Sequence, residues 1–425
     1  MTILQPIGTQ GCGYDRRDTV KALLSVDDAL ALIRSQTRPV DETDVLVAEH
    51  ALGRILADTN TALHMTPPFD NAAMDGYAVV TSALRGKGPW ELPVITRIPA
   101  GQAAGSLSGL QASRIFTGAP IPSGADAVVM QEDVQRTGAT VRIDDRPAPG
   151  LNIRRAGSEL AAGAEVLRQG CRLGPREIAA CATAGVAQVH VRRRLRVAIL
   201  VTGDEVRQVG ADRSEAQIWD VNTPMLRALL ARPGIDLVAV ENGLDSLDGI
   251  FLQIAELVGT ADLLITTGAI SVGEEDHVKP ALQAMGADIA FSGVAIKPGK
   301  PVSFGHVRGT LWLGLPGNPL SAFITWQIFG EALVRRMTGE IGQGIARRHV
   351  ITSQAISRKP GRCEFRPAHC TGFDAHGREV VSFDPETHSS RVVGLSAASG
   401  LIYLPADAAF LPVGALVEFQ PFCSN

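Results

Sequence analysis

Three acids and a hydroxyl stand close together in the stretch LLITTGAISVGEED, residues 263–276. Ser271, Glu274, Glu275 and Asp276 follow a run of β-branched and apolar residues, and Gly268 and Gly273 let a bound group approach the main chain. Similar groups recur where other apolar runs end. Thr202-Gly203-Asp204-Glu205 follows one, Asp245 another, and Pro316-Gly317-Asn318-Pro319 a fourth; Asp220 and Asn222 precede a helix. If the runs are parallel strands, these loops share one edge, where open α/β sheets hold ligands. Carboxylates beside an anion-binding helix start at Pro319 point to a bridging divalent cation, and magnesium takes one or two carboxylates plus substrate phosphates. Lys297 and Lys300, in KPGKP, add positive charge. An ordinary βα turn with a solvated acidic end, or a surface turn at KPGK, would read the same way in isolation.

The elements that must position these groups follow from periodicity. Strands are expected at Arg196–Val201, Asp236–Val240, Leu263–Thr267, Pro301–Gly305 and Leu311–Leu315. Helices are expected from Pro224 with Thr223 as its cap, over Leu247–Val258, over His277–Met285 and from Pro319. Residues 195–338 thus read as an α/β domain with a mostly parallel sheet covered on both faces. Residues 58–152 read as a β-rich domain, with Asp70, Asn71, Asp75 and Thr117 in or beside its turns, where Asx turns account for most such residues. Residues 339–425 read as a C-terminal β domain, a small barrel or sandwich. It carries Arg362, Glu364, Arg366, His388, Ser389 and Ser390, each of which alone reads as a surface residue. Segments 19–57 and 153–194 form a discontinuous helical or mixed scaffold. Its expected helices are one capped by Ser25, a second through Leu46, Leu52, Ile55 and Leu56, and one over Pro175–Ala184.

Composition narrows the classes. A chain of 425 residues with 45% hydrophobic content holds more than one domain. Its net charge of −4 gives no bias toward nucleic acid. Arg192, Arg193, Arg194 and Arg196 lack interleaved aromatics and read as a solvated turn. The six cysteines form no CxxC pair, which fits reduced thiols in a cytoplasmic protein. The N-terminus shows no signal-peptide core, and no run of about 20 apolar residues suggests a membrane span. Neither GxGxxG nor a Walker loop is present.

Taken in order, FDNAAMDGYAV, IFTGAPIPSGADAVVMQ, TGDE, GAISVGEED, IKPGKP and GLPGNPLSA resemble the MoeA-type molybdopterin molybdenumtransferases, the family that includes the gephyrin E domain. The resemblance runs from about Ser25 to Phe422. It implies a homodimer of four-part subunits with a central molybdopterin-binding α/β domain. The implied reaction inserts molybdate into adenylylated molybdopterin and releases AMP, with Mg2+ required. A molybdopterin adenylyltransferase would act upstream and molybdoenzyme acceptors downstream. By the same resemblance Asp75 and Thr117 reach the partner subunit's cleft, and Glu205, Asp245 and Asp276 are its acids, with Asp276 and Glu205 nearest the metal. Glu159, Thr202, Gly203, Asp220, Asn222, Gly268, Ser271, Gly273, Pro316, Gly317, Asn318 and Pro319 would bind the pterin or nucleotide. Lys297, Lys300, Pro301, Arg362 and Ser390 would hold molybdate. The chain departs from the family pattern at Ala269, at Gly293, at Ser158-Glu159 and at Pro367. A non-catalytic molybdopterin carrier and an adenylyltransferase are the competing readings; intact acids at 205, 245 and 276 disfavour the first, and the extra domains the second.

Overall fold

The first helix begins where Ser25 can cap it. In the computed structural model, which describes residues 23–244, 246–268, 276–342, 347–384 and 392–422, the helix is Val26–Gln36, and Ser25 Oγ accepts from the Asp28 amide at 3.1 Å. Val26, Ala29 and Ile33 lie on its buried face and join the core of the α/β unit. The second expected helix is not one. Thr43–Val47 is a strand, antiparallel to Gln188–Arg192, followed by a single 3-10 turn at Ala48–His50. Pairing with a segment far along the chain overrides local helical preference there. Helix Pro175–Thr183 starts with proline at its first turn and is followed by Gly185 at φ 76°. Ala51, Leu56, Leu173, Cys181 and Val191 share one small core, which ties the two distant segments together.

The arginine cluster corrects the solvated-turn expectation. Arg193 bonds both oxygens of Asp262, at 2.6 and 3.0 Å, and also Glu42 at 2.9 Å. The Arg196 amide donates to Asp262 at 2.8 Å. Arg192 donates to the carbonyl of Val40 at 3.0 Å. The cluster therefore fastens the Thr43 region to the base of the α/β sheet.

The β-rich unit is a twisted sheet in the order Ala127–Met130, Gly76–Val79, Ala112–Ile115, Trp90–Ile98, Thr140–Ile143, Val134–Thr137. Tyr77, Val79, Trp90, Leu92 and Val141 fill one face. Ala72, Ala78, Ile98 and Ile115 fill the other.

The α/β sheet holds six strands among the described residues. Ile235–Asn242, Leu195–Val201, Leu263–Thr267 and Thr310–Leu315 run parallel, in that order. Ser303–Val307 and Asp288–Ser292 extend it antiparallel, each to its neighbour. The edge strand Asp288–Ser292 is missing from the sequence reading, and the strand expected at Pro301 starts two residues later. Side chains alternate as a two-residue period requires. Leu195, Val197, Ile199 and Val201 enter one core, and Ala198 and Leu200 the other. Helices Asn222–Leu230 and Pro319–Thr325 cover the first face; Leu247–Val258 and Val278–Ala284 cover the second. Beyond Pro319–Thr325 the helix widens into a π segment at Trp326–Gly330 before resuming over Glu331–Met337.

The C-terminal strands close on themselves. Cys363–Phe373, Glu379–Phe383, Arg348–Thr352, Leu416–Pro421 and Gly400–Leu404 each pair with the next, and the last returns to the first. Closure removes the exposed edges. The multidomain α/β-plus-β class expected from the sequence is the fold observed. Among the described residues no helix is long and apolar enough to cross a membrane.

Candidate functional site

The parallel strands end at a cleft of about 1260 Å³. Eleven of the sequence-derived candidates line it: Thr202, Gly203, Glu205, Asp220, Asn222, Gly268, Asp276, Pro301, Gly317, Asn318 and Pro319. The parallel register explains the convergence, because Val201, Thr267 and Leu315 end side by side. Each loop that follows a strand end therefore opens into the same space.

The floor is a polar network around Thr267. The Asn222 side-chain amide donates to Thr267 Oγ1 at 2.7 Å and to the Gly317 carbonyl at 2.8 Å. Thr267 Oγ1 donates to the Pro316 carbonyl at 3.3 Å, so Pro316 supports the floor without lining the cleft. Asn222 Oδ1 is buried and has no partner among the described residues. The helix behind it starts at Asn222 rather than after Thr223, and the capping oxygen is Asp220 Oδ1, which accepts from the Thr223 amide at 2.9 Å. Asn318 caps helix Pro319–Thr325, accepting from the Ser321 amide at 3.4 Å, with Pro319 in the first turn.

Asp204, Glu205, Asp220 and Asp276 bring four carboxylates to this surface, and two of them differ in how far they are enclosed. Glu205 folds back over Gly203, where a β-carbon would come within 2.9 Å of its carboxylate oxygen. Asp276 is the more enclosed, its side chain 10% exposed. Burial pushes its pKa up, against the opposing pull of Lys279, whose ammonium stands 3.5 Å from Oδ2. Asp276 Oδ1 is buried without a hydrogen-bond partner among the described residues. An orphaned, desolvated carboxylate oxygen in a nucleotide-sized cleft fits a divalent cation. No cluster of three or more His, Cys, Asp or Glu ligands occurs among the described residues, so waters and substrate oxygens would complete the shell.

Some candidates lie elsewhere. Asp75 and Thr117 are on the β-rich unit and line none of the cleft. They meet each other instead: the Thr117 amide and hydroxyl both donate to Asp75 Oδ1, at 2.8 and 2.7 Å, and hold its pKa low. Glu159 is exposed, its amide bonded to the Thr66 carbonyl at 3.0 Å. Lys300 and Arg362 are exposed and outside the cleft lining. Asp245, Ser271, Gly273 and Ser390, with His388 and Ser389, fall outside the described residues.

Glu364 and Arg366 are not surface residues. Glu364 is 1% exposed and Arg366 4%. Glu364 accepts from Arg366 Nε at 2.9 Å and from Arg358 Nε at 3.1 Å. Lys297 joins this group, its Nζ 3.4 Å from Glu364, because Ile296–Lys297 pairs in parallel with Cys363–Glu364 on the barrel. Sequence reasoning also missed residues that line the cleft. Arg213 sits over the Trp219 ring, 5.5 Å from its centroid, and His277 adjoins Asp276. An aromatic residue directly before Asp220 was the available signal.

Comparison with known proteins follows the same lines. Residues 24–185 match the MoeA N-terminal region (domain I and II), 198–336 a probable molybdopterin binding domain, and 349–422 the MoeA C-terminal region (domain IV). A molybdopterin molybdenumtransferase of Haemophilus influenzae is 36% identical over 75% of this chain and 78% of its own. Molybdopterin molybdenumtransferase 2 of Mycobacterium tuberculosis is 33% identical over 87% and 92%. The crystal structure of a molybdopterin biosynthesis MoeA protein from Pyrococcus horikoshii OT3 superposes with a TM-score of 0.80, at 27% identity over 94% of this chain and 100% of that one.

Proposed function

Because the chain belongs to the MoeA family of molybdopterin molybdenumtransferases, we propose that it inserts molybdate into adenylylated molybdopterin and releases AMP, in a magnesium-dependent step. One observation carries this reading: Asp276, which lines a cleft large enough for a nucleotide-bearing ligand, keeps a buried carboxylate oxygen with no hydrogen-bond partner among the described residues.

In this reading the floor around Thr202, Asn222, Gly268 and Gly317 binds and orients the pterin end, with Asn222 Oδ1 as the buried acceptor awaiting a donor. Ser271 and Gly273 complete that wall, and Asp220, Gly203, Asn318 and Pro319 shape it. Asp276, with Glu205, would hold Mg2+, and the ion would supply charge neutralisation for the phosphoanhydride. Lys297, Lys300, Pro301, Arg362 and Ser390 would bind molybdate, a dianion that suits guanidinium and ammonium donors. The dithiolene sulfurs are the substrate's own nucleophiles toward molybdenum, so the chain needs to supply none. Its contribution is positioning and electrostatics.

Asp75 and Thr117 lie off the cleft of their own chain, which supports a homodimer in which each subunit's β-rich unit serves the other's cleft. Asp245 and Glu159 are the remaining acids of this reading. The upstream partner is an adenylyltransferase, the product passes to molybdoenzyme acceptors, and the setting is cytoplasmic.

The test is single-turnover release of AMP from adenylylated molybdopterin with Mg2+, with and without molybdate. Molybdate-dependent release that is lost in Asp276→Ala is the expected result. Tight pterin binding with no release under either condition would leave a carrier in place of the insertase.

A further inference from the structure

Three arginines of the β-rich unit border one cavity away from the α/β cleft. Strand Trp90–Ile98 carries a register shift between Val94 and Thr96, after which Arg97 lies directly beside Arg114 of strand Ala112–Ile115. A shift of this kind re-aims the side chains that follow it. Like charges opposite one another on paired strands repel, so this register costs stability unless something compensates. Both guanidiniums lie against one ring: Arg97 is 4.5 Å and Arg114 4.8 Å from the Phe116 centroid. Arg136, from strand Val134–Thr137, borders the same cavity of about 300 Å³.

None of the three cations forms an ion pair with a carboxylate among the described residues. The bonds they make go to neutral groups: Arg114 to the Gly76 carbonyl at 3.1 Å and to the Gln131 side-chain oxygen, and Arg136 to the Gly138 carbonyl at 3.1 Å. Asp75 feels Arg114 through space, without a hydrogen bond between them among the described residues; its Oδ1 accepts from Thr117 instead. Contact with the Phe116 ring does not quench the guanidinium charge, and N–H groups of these arginines remain for a tetrahedral anion.

We propose that Arg97, Arg114 and Arg136 form a binding site for a phosphate-like oxyanion, either free or as the terminal group of a phosphate monoester. The site shares no lining residue with the α/β cleft and does not depend on the insertase reading. Guanidinium pairs grip such oxygens in a fixed fork, and the bound dianion relieves the repulsion between Arg97 and Arg114.

The experiment is calorimetric titration of the full chain at low salt with inorganic phosphate and, separately, with glycerol 2-phosphate. It is repeated on the Arg97→Gln/Arg136→Gln double variant, whose two altered side chains are exposed. Thermal unfolding is recorded alongside. The wild-type chain binds at least one probe, and the double variant binds it at least about tenfold more weakly while melting no lower than wild type without phosphate. General salting effects of phosphate act on both proteins equally and cancel in the comparison. Equal affinity for the two probes assigns the site to the free ion, and tighter binding of the monoester assigns it to a larger phosphate-bearing molecule. Unchanged affinity in the double variant, or no binding of either probe to wild type at about 10 mM, overturns the proposal.

Discussion

Asp276 shows how a single side chain can carry a cleft. Its carboxyl pKa is raised by burial in spite of Lys279. The folded chain then holds this proton better than the unfolded chain does. The resulting stabilisation is complete below the ordinary carboxylate pKa and is lost as pH rises through the raised value. A divalent cation has the opposite preference, since it requires the anion and competes with the proton. Mg2+ is therefore expected to raise the Tm at neutral pH, with a rise that shrinks as the solution is acidified toward the raised pKa. In Asp276→Asn the rise is absent at every pH. Scanning calorimetry across pH, with and without Mg2+, reads this directly, and an equal rise in the variant would move the metal elsewhere. Glu364 makes a second case at this scale. Its side chain is 2% exposed, between Arg358 at 3% and Arg366 at 5%. Glu364→Gln removes the buried carboxylate that Arg358 and Arg366 share, at a cost of about 3–5 kcal/mol in urea unfolding. The sequence showed the charges at 358, 364 and 366 but not their burial. Glu and Arg are almost never fully buried unless paired, and the pairing depends on a barrel that closes across some 40 residues.

At the scale of elements, the cleft depends on how closely two strand ends approach. Gly268 follows Leu263–Thr267 at φ 90°, and a β-carbon there would lie 2.3 Å from the Thr202 carbonyl oxygen. A β-carbon on Gly317 would in turn come 3.2 Å from Gly268. Gly268→Ala is therefore expected to cost about 2 kcal/mol or more, from left-handed backbone strain and overpacking together. It would also weaken pterin binding, because the Thr202 and Asn222 wall must shift; denaturant titration and a binding isotherm on the same preparation read the two effects. Gly268 as the turn after its strand was legible in the sequence, as were the strand expected at Arg196–Val201, the strand at Leu263–Thr267 and the helix at Leu247–Val258, because buried apolar runs with polar ends leave few alternatives. Thr43–Val47 was not legible. Its pattern of exposure alternates only because Gln188–Arg192 pairs with it, and no local feature announces a partner so far away. Cys363–Phe373 was hidden by Pro367, which breaks strand propensity locally yet is tolerated within the closing ring opposite Leu401. Asp288–Ser292 is an edge strand, where partial exposure blurs the hydrophobic pattern.

For the whole molecule, the separation between two sets of acidic residues becomes a question about subunits. Asp276 and Glu205 line the cleft, and Asp75, held by Thr117, sits on a different sheet and lines none of it. If each β-rich unit completes its partner's cleft, one subunit lacking Asp75 and one lacking Asp276 form a dimer with one doubly defective cleft and one intact cleft. Each variant homodimer, by contrast, has two defective clefts. Dissociating and remixing equal amounts of Asp75→Ala and Asp276→Ala chains should therefore restore AMP release from near zero to about a quarter of the wild-type level, because half the dimers are mixed and each mixed dimer has one working cleft. A cleft assembled within a single chain gives a different result. Every cleft in the mixture would then carry one defect, and remixing would restore nothing. Recovery of activity on mixing reads subunit exchange at the cleft itself, and because both variants are surface or cleft-wall changes outside the hydrophobic cores, it separates a shared active site from a dimer that merely holds two independent ones.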